Sequence, residues 1–299
     1  MATPPTLLCF GMGYSAGYLA ELVSRAGWQI IGTSRAPTPH PHWRMLPFTG
    51  TWTGELEACT RAADAVLLSI PPDNAGDPAL RAFAAAFAAR THGWIGYLST
   101  TGVYGDRGGG WAFEWTPPRP QSDLARRRLV AEQQALALPR PACVFRLPGI
   151  YGPGRSALDR VAAGETLRLL KPGQVFSRIH TADLARALAL SIAQSIPGRL
   201  YTVCDDEPAA AADVLSFAAA LLSAPLPPPE PFDAQRLSEP ARRFWSENKR
   251  VANARAKAEL GWRPRFATYR EGLRSIHQGD SGLEHGGAAG VDDHLAGLL

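Results

Sequence analysis

A short apolar run, Thr6-Leu-Leu-Cys-Phe10, leads directly into Gly11-Met12-Gly13-Tyr14-Ser15-Ala16, and this junction restricts the fold more than any other part of the chain. An apolar run without polar alternation is the pattern of a strand covered on both faces, as in a parallel sheet. Behind the glycines, Leu19, Leu22, Val23 and Ala26 recur at helical spacing and Gly27 supplies the stop. A G-x-G-x-x-A between strand and helix has a specific physical use. Gly11 permits a tight turn, Gly13 lets a pyrophosphate approach backbone, Ala16 leaves room for helix against strand, and the helix N-terminus offers free N–H groups to the anion. The junction predicts a dinucleotide cradle built from Gly11, Met12, Gly13, Tyr14 and Ser15.

The rest of the N-terminal half supports a parallel sheet. Residues 28–33, 65–70, 94–99 and 142–147 read as further strands. Asp77-Pro78 caps and opens a helix whose Leu80, Phe83, Ala84 and Phe87 form one stripe, and residues 122–138 read as another helix. Strands alternating with helices across short connections predict an α/β fold, a Rossmann-type doubly wound parallel sheet. Beyond residue 150 the pattern loosens, with helices near 156–163 and over 181–196, Thr181 as a possible N-cap, and a strand at 200–204. The expected organisation is a nucleotide-binding domain over 1–148, completed by about 175–206, with a smaller C-terminal substrate lobe from 149–174 and 207–276. Residues 224–231 read as a stiff polyproline connection and 277–299 as a mobile tail.

Composition narrows the partners. With 45% hydrophobic residues in 299, the chain sustains a native core, and its apolar runs fall far short of a bilayer span. The first residues lack the basic segment of a signal peptide, so a soluble cytoplasmic protein with no membrane partner is expected. Cys9, Cys59, Cys143 and Cys204 lie too far apart for zinc or disulfide spacing, so reduced thiols and no metal are expected. A net charge of +4 without Lys/Arg clusters argues against nucleic acid, because the one run, Arg126-Arg127-Arg128, splays around a helix axis.

The second strand ends in Thr33-Ser34-Arg35. A carboxylate here would accept from the ribose 2′-OH of NAD. A guanidinium and hydroxyls suit a 2′-phosphate instead, so Ser34 and Arg35 predict NADP in preference to NAD.

Several ordered blocks, CFGMGYSAG, AVLLSIPPD, YLSTTGVYGD, RRRLVAEQ, FRLPGIYGPGR and RIHTADLARAL, together resemble the extended short-chain dehydrogenase/reductases, the NAD(P)-dependent epimerase/dehydratase family, and particularly its atypical members. The resemblance covers about residues 6–275 and implies an oxidoreductase or epimerase acting on a small carbonyl or hydroxyl substrate, with a possible helix-pair homodimer. It places Ser69, Ile70 and Pro71 over the adenosine and ribose side, Ser99 at the cofactor, and Leu147 and Pro148, with Gly149 and Ile150, against the nicotinamide. It makes Thr100, four residues before Tyr104, the group that orients a substrate carbonyl.

The resemblance breaks at the acid/base pair. The family's Tyr four residues before a Lys falls on Leu124 and Arg128, and no other tyrosine has a lysine at that spacing. Arg128 still suits a ribose hydroxyl or a phosphate, but leucine has no proton to give. General acid/base help is typically worth about 10²–10⁴ in rate, so the loss slows hydride transfer without forbidding it. Tyr104, Asp106 and Glu114 are candidate replacements, and each also reads as an ordinary packing, turn or surface residue. The alternative function is a weakly active or inactive NADP-binding sensor or scaffold. Phe176 stands where sugar-nucleotide members carry a diphosphate-binding Arg, and His180 and Asp183 read as a helix entry.

Overall fold

The central strands of the main sheet are short and apolar because helices cover both of its faces. In the computed structural model, which describes residues 3–165, 167–283, 297 and 299, the sheet consists of β1 (Thr6–Phe10), β2 (Gln29–Ser34), β3 (Arg44–Pro47), β4 (Ala65–Leu68), β5 (Trp94–Thr100), β6 (Cys143–Leu147) and β7 (Leu200–Thr202). All seven are parallel, in the order 3-2-1-4-5-6-7. The register Leu7↔Ile30 on one side of β1 and Leu7↔Ala65 on the other puts the reversal of strand order beside β1. In such sheets the ligand crevice lies there, past the carboxyl ends of the strands.

Alternate side chains feed two cores. Leu7, Cys9, Leu67 and Phe145 pack under α1 (Tyr14–Arg25), while Leu8, Phe10, Val66 and Val144 pack against α2 (Gly54–Ala62), α3 (Pro78–Ala82), α4 (Ala84–Ala88) and α5 (Asp123–Leu136). The smaller lobe has its own cluster. There Tyr151, Leu158 of α6 (Ala157–Ala162), Leu215 of α8 (Ala211–Leu221) and Leu273 of α11 (Tyr269–His277) meet. Between α6 and α8 in the chain, α7 (Thr181–Gln194) belongs to the main core and is buried on nearly every side. α9 (Glu239–Trp245) and α10 (Ala254–Leu260) complete the helices.

Four expectations are corrected. The helix opened by Asp77 breaks at Phe83, which leaves helical dihedrals (φ −120°, ψ 33°) and lies against Phe10 and Phe48 at 5.4 and 5.6 Å between ring centroids. Ala256, Leu260, Trp262 and Phe266 pack in the main core rather than in the substrate lobe. The N-cap of α7 is His180, not Thr181: His180 pairs in a strand with Tyr151, which holds it extended, and its Nδ1 accepts from the Ala182 N–H at 3.2 Å. The segment from His277 first closes α11, then returns Leu283 to the main core, where its carbonyl accepts from Arg25 at 2.9 Å. The rest of the expected tail, 284–296 and 298, lies outside the described residues.

Among the described residues no helix is long and apolar enough to cross a membrane, and no group of three or more His, Cys, Asp or Glu is placed to hold a metal. The four cysteines are free thiols.

The RIHTADLARAL block is a structural pin. Asp183, fully buried, accepts from the Arg265 N–H (2.7 Å) and the Phe266 N–H (3.0 Å), while its carbonyl accepts from Trp262 Nε1 (3.0 Å). Burial raises its carboxyl to about 6, and burial likewise presses His180 down to about 3, so the imidazole is neutral in the fold. Asp183→Ala strands the buried Phe266 N–H and the part-buried Arg265 N–H, and a loss of about 2–3 kcal/mol in urea unfolding is expected. A cost below about 0.5 kcal/mol would show that the pin is dispensable.

Candidate active site

The phosphate loop has the geometry its glycines require. Gly11 adopts φ +92°, and a Cβ there would stand 3.0 Å from Ile70 Cγ1 and 3.1 Å from Ser69 Oγ. A Cβ on Gly13 would meet nothing within 4 Å, so the approach to this backbone is open. Gly13 caps α1 without a side-chain hydrogen bond, which leaves the helix N-terminus to an external acceptor. The loop is held from below: Gly11 N–H donates to Thr33 Oγ1 (2.9 Å), Met12 N–H to the Thr33 carbonyl (2.7 Å), and Ser69 Oγ to the Gly11 carbonyl (2.6 Å). These residues fit a pyrophosphate. The Thr33 hydroxyl, expected near a second phosphate, is buried and committed to the loop instead, because it lies directly under Gly11.

Past the strand ends the other cofactor candidates line the same edge. Ser34 is half-buried at the end of β2 and Arg35 is exposed, with no hydrogen bond or ion pair among the described residues. Ile70 contacts Gly11, and Pro71 beyond it is exposed. Arg128 on α5 turns inward: its Nη1 donates to the Leu98 carbonyl at 2.9 Å and reaches the Ile70 carbonyl and Tyr97 hydroxyl at 3.5 Å. Its guanidinium thus sits where β4 and β5 end, in contact with the loop that touches Gly11. Leu147 is buried, Pro148 half-buried, and the chain then enters Gly149–Tyr151, which pairs with Arg178–His180 at the base of the smaller lobe.

The catalytic candidates separate. Thr100 ends β5 half-buried; its Oγ1 accepts from the Gly102 N–H (3.1 Å), which leaves its own hydrogen free to donate. Leu124, at the start of α5, is 56% exposed. Tyr104 is withdrawn from the cleft. It is fully buried, its hydroxyl is hydrogen-bonded to Thr202 Oγ1 (2.9 Å), and burial raises its phenol pKa. Asp106 organises a turn, accepting from the N–H groups of Asn248 (2.7 Å) and Gly108 (3.2 Å). Glu114 is buried and accepts from the Thr202 N–H at 3.1 Å.

Tyr104 belongs to a buried polar network that sequence reading does not anticipate. Arg146 stacks 4.7 Å over its ring and forms an ion pair with Glu132 of α5, to which Ser99 Oγ also donates (2.8 Å). Ser99, expected at the cofactor, thus faces the interior. The network fixes α5 against β5 and β6, and with it the positions of Leu124 and Arg128.

The lobe approaches the cradle through Tyr14. Its hydroxyl donates to the Pro153 carbonyl at 3.0 Å, and the exposed Arg155 guanidinium lies 5.6 Å from its ring centroid. Arg155 also borders a cavity of about 440 Å³ that starts at Gly149 and Ile150 and runs into the lobe. Gly149, Ile150, Tyr151, Gly154 and Arg155 of its lining stand in the FRLPGIYGPGR block, but nothing local signals the contact of Arg155 with residue 14.

Compared with known proteins, the chain matches no family model. A conserved protein of unknown function from Silicibacter pomeroyi is 44% identical and superposes with a TM-score of 0.86 over 93% of this chain and 99% of that one. The dTDP-glucose 4,6-dehydratase DesIV of Streptomyces venezuelae, solved with NAD bound, shares the fold at 17% identity, with a TM-score of 0.75 over 91% and 96% of the two chains. A curated relative, the 3-diazoavenalumate denitrifying reductase of a Streptomyces species, is 35% identical over 157 residues, and the match spans about half the length of each protein. By its near-full-length identity the chain belongs to one family with the Silicibacter pomeroyi protein, and its fold is that of the extended short-chain dehydrogenase/reductases, the NAD(P)-dependent epimerase/dehydratase group.

Proposed function

We propose that the chain is an NADP-dependent reductase-type oxidoreductase acting on a small organic acceptor. The observation that carries this reading is the open backbone at Gly13, at the head of a helix without a side-chain cap, beside the reversal of strand order. When bound, the nicotinamide supplies or takes up a hydride. The protein's part is positional. Gly11 to Ser15 hold the pyrophosphate, Arg35 and Ser34 face the adenosine 2′-phosphate, Arg128 anchors the nicotinamide ribose, and the Thr100 hydroxyl donates a hydrogen bond to the acceptor. The activity of the Streptomyces relative, a reductase, favours reduction over epimerisation.

Leu124, exposed at the head of α5, contributes no proton. The same residue favours a second reading, in which the chain senses or scaffolds with its bound cofactor and turns over slowly. Stopped-flow absorbance at the reduced-nicotinamide band, run against a panel of carbonyl compounds, separates the two: hydride transfer with any member supports the enzyme.

Cofactor choice rests on Arg35. Calorimetry is expected to show NADPH binding more tightly than NADH. Arg35→Ala should weaken NADPH about tenfold, the share of one charge-assisted phosphate contact, and leave NADH unchanged. Equal affinity of the unaltered protein for both would remove the NADP preference.

A further inference from the structure

The cavity beside the cradle is lined by charge of one dominant sign. Three guanidiniums, Arg155, Arg160 and Arg178, border it with two carboxylates, Asp159 and Glu165. Both carboxylates are occupied. Glu165 is ion-paired with Arg160 at 2.8 Å, and Asp159 accepts from the Ser156 N–H (2.7 Å) and hydroxyl (2.6 Å) in the capping box of α6. Arg178 donates to two backbone carbonyls, those of Phe176 (2.8 Å) and Ala209 (3.2 Å). The carboxyl nearest it electrostatically, Asp205, is buried, and that burial raises its pKa to about 8. The Arg155 backbone pairs with Gly152, while its guanidinium makes no hydrogen bond or ion pair among the described residues.

Apolar side chains, Ile150, Val214, Leu215, Phe244 and Leu273, form much of the remaining wall, beside Tyr151, Ser156 and Tyr269. Arg155 is exposed, its guanidinium 5.6 Å from the Tyr14 ring centroid, and it borders the same cavity as this apolar wall. We propose that this cavity is the acceptor site and that it selects an organic monoacid, an apolar or aromatic body carrying one carboxylate, with Arg155 as the residue that recognises the carboxylate. The planar fork of a guanidinium matches a carboxylate with two parallel hydrogen bonds, and the free geometry of Arg155 leaves both donors available. Tyr14 is then a positioning residue, its ring a shelf for the guanidinium and its hydroxyl the tie to the Pro153 carbonyl of the same loop.

This inference rests on the cofactor reading only for its word acceptor; the preference of the cavity for an acid does not. The test uses the full chain, with and without saturating NADPH, titrated calorimetrically with cinnamate and with its neutral counterpart cinnamamide. Cinnamate should bind at least about tenfold more tightly than the amide. Arg155→Gln should erase that difference, Arg155→Lys should keep part of it, and both variants should bind NADPH as before. Equal binding of acid and amide, no binding of either, or unchanged discrimination in Arg155→Gln would overturn the proposal. So would a variant that loses NADPH affinity while still preferring the acid, since Arg155 would then serve the pyrophosphate. If NADPH fails to bind the unaltered protein while the acid preference holds, the cofactor reading falls and the acid site stands.

Discussion

Gly13→Asp is expected to abolish dinucleotide binding while leaving the fold intact. Beyond its chain neighbours, a Cβ at this position would meet no atom within 4 Å, so the fold leaves room for a side chain there. The new carboxylate would project into the space that a pyrophosphate needs, at the positive end of α1, and oppose the anion by both bulk and charge. Like-charge juxtaposition in a binding site costs several kcal/mol, so the affinity for NADPH should fall by about 100-fold or more. Calorimetry reads the affinity and thermal unfolding confirms the fold. Retention of NADPH binding within about threefold would place the cofactor elsewhere. Gly11→Ala is a less clean probe, because its φ of +92° and the 3.0 Å approach to Ile70 would strain the loop itself.

The largest stability effect is expected at Glu132. Its carboxylate neutralises Arg146 with side-chain exposures of only 2% and 4%, and it also accepts from Ser99. Removing one partner of a buried pair leaves an uncompensated charge, so Glu132→Ala should cost about 3–5 kcal/mol. That is a large part of the total stability of an ordinary domain. Replacing both partners by apolar residues of similar volume, as in Glu132→Leu with Arg146→Met, should recover most of the loss, since the desolvation penalty disappears with the charges. Urea unfolding of the two variants checks this. A single-variant cost below about 1 kcal/mol would mean that water reaches Arg146 and that the network does not fix α5.

Much of the fold is legible in the chain because its signals are local. The strand before Gly11, the helix behind it and the break in hydrophobic period at each turn depend on residues a few positions apart. The same holds for the loss of the tyrosine at Leu124, since a spacing of four on a helix is read directly. The structure adds that this leucine is exposed at the head of α5. β3 and α2 escape the reading: Arg44–Pro47 is brief, and Gly54–Ala62 buries only Leu56 and Thr60. The N-cap of α7 shows a different limit. Thr181 is the better cap by residue type, but pairing of His180 with Tyr151 moves the helix start by one residue.

The sequence by itself determined the parallel sheet, the glycine turn between β1 and α1, the arginine that follows β2 and the absence of a lysine partner on α5, because each is a matter of residue type at short spacing. Only the tertiary structure decided which polar groups meet. Tyr104 finds Thr202, 98 residues away, and retires from the cleft, whereas Tyr14 finds Pro153 and brings Arg155 to the cradle. The physical reason is that a hydroxyl or guanidinium takes its role from the partner that desolvates it, and that partner is set by how strands and lobes pack, not by the neighbouring letters of the chain.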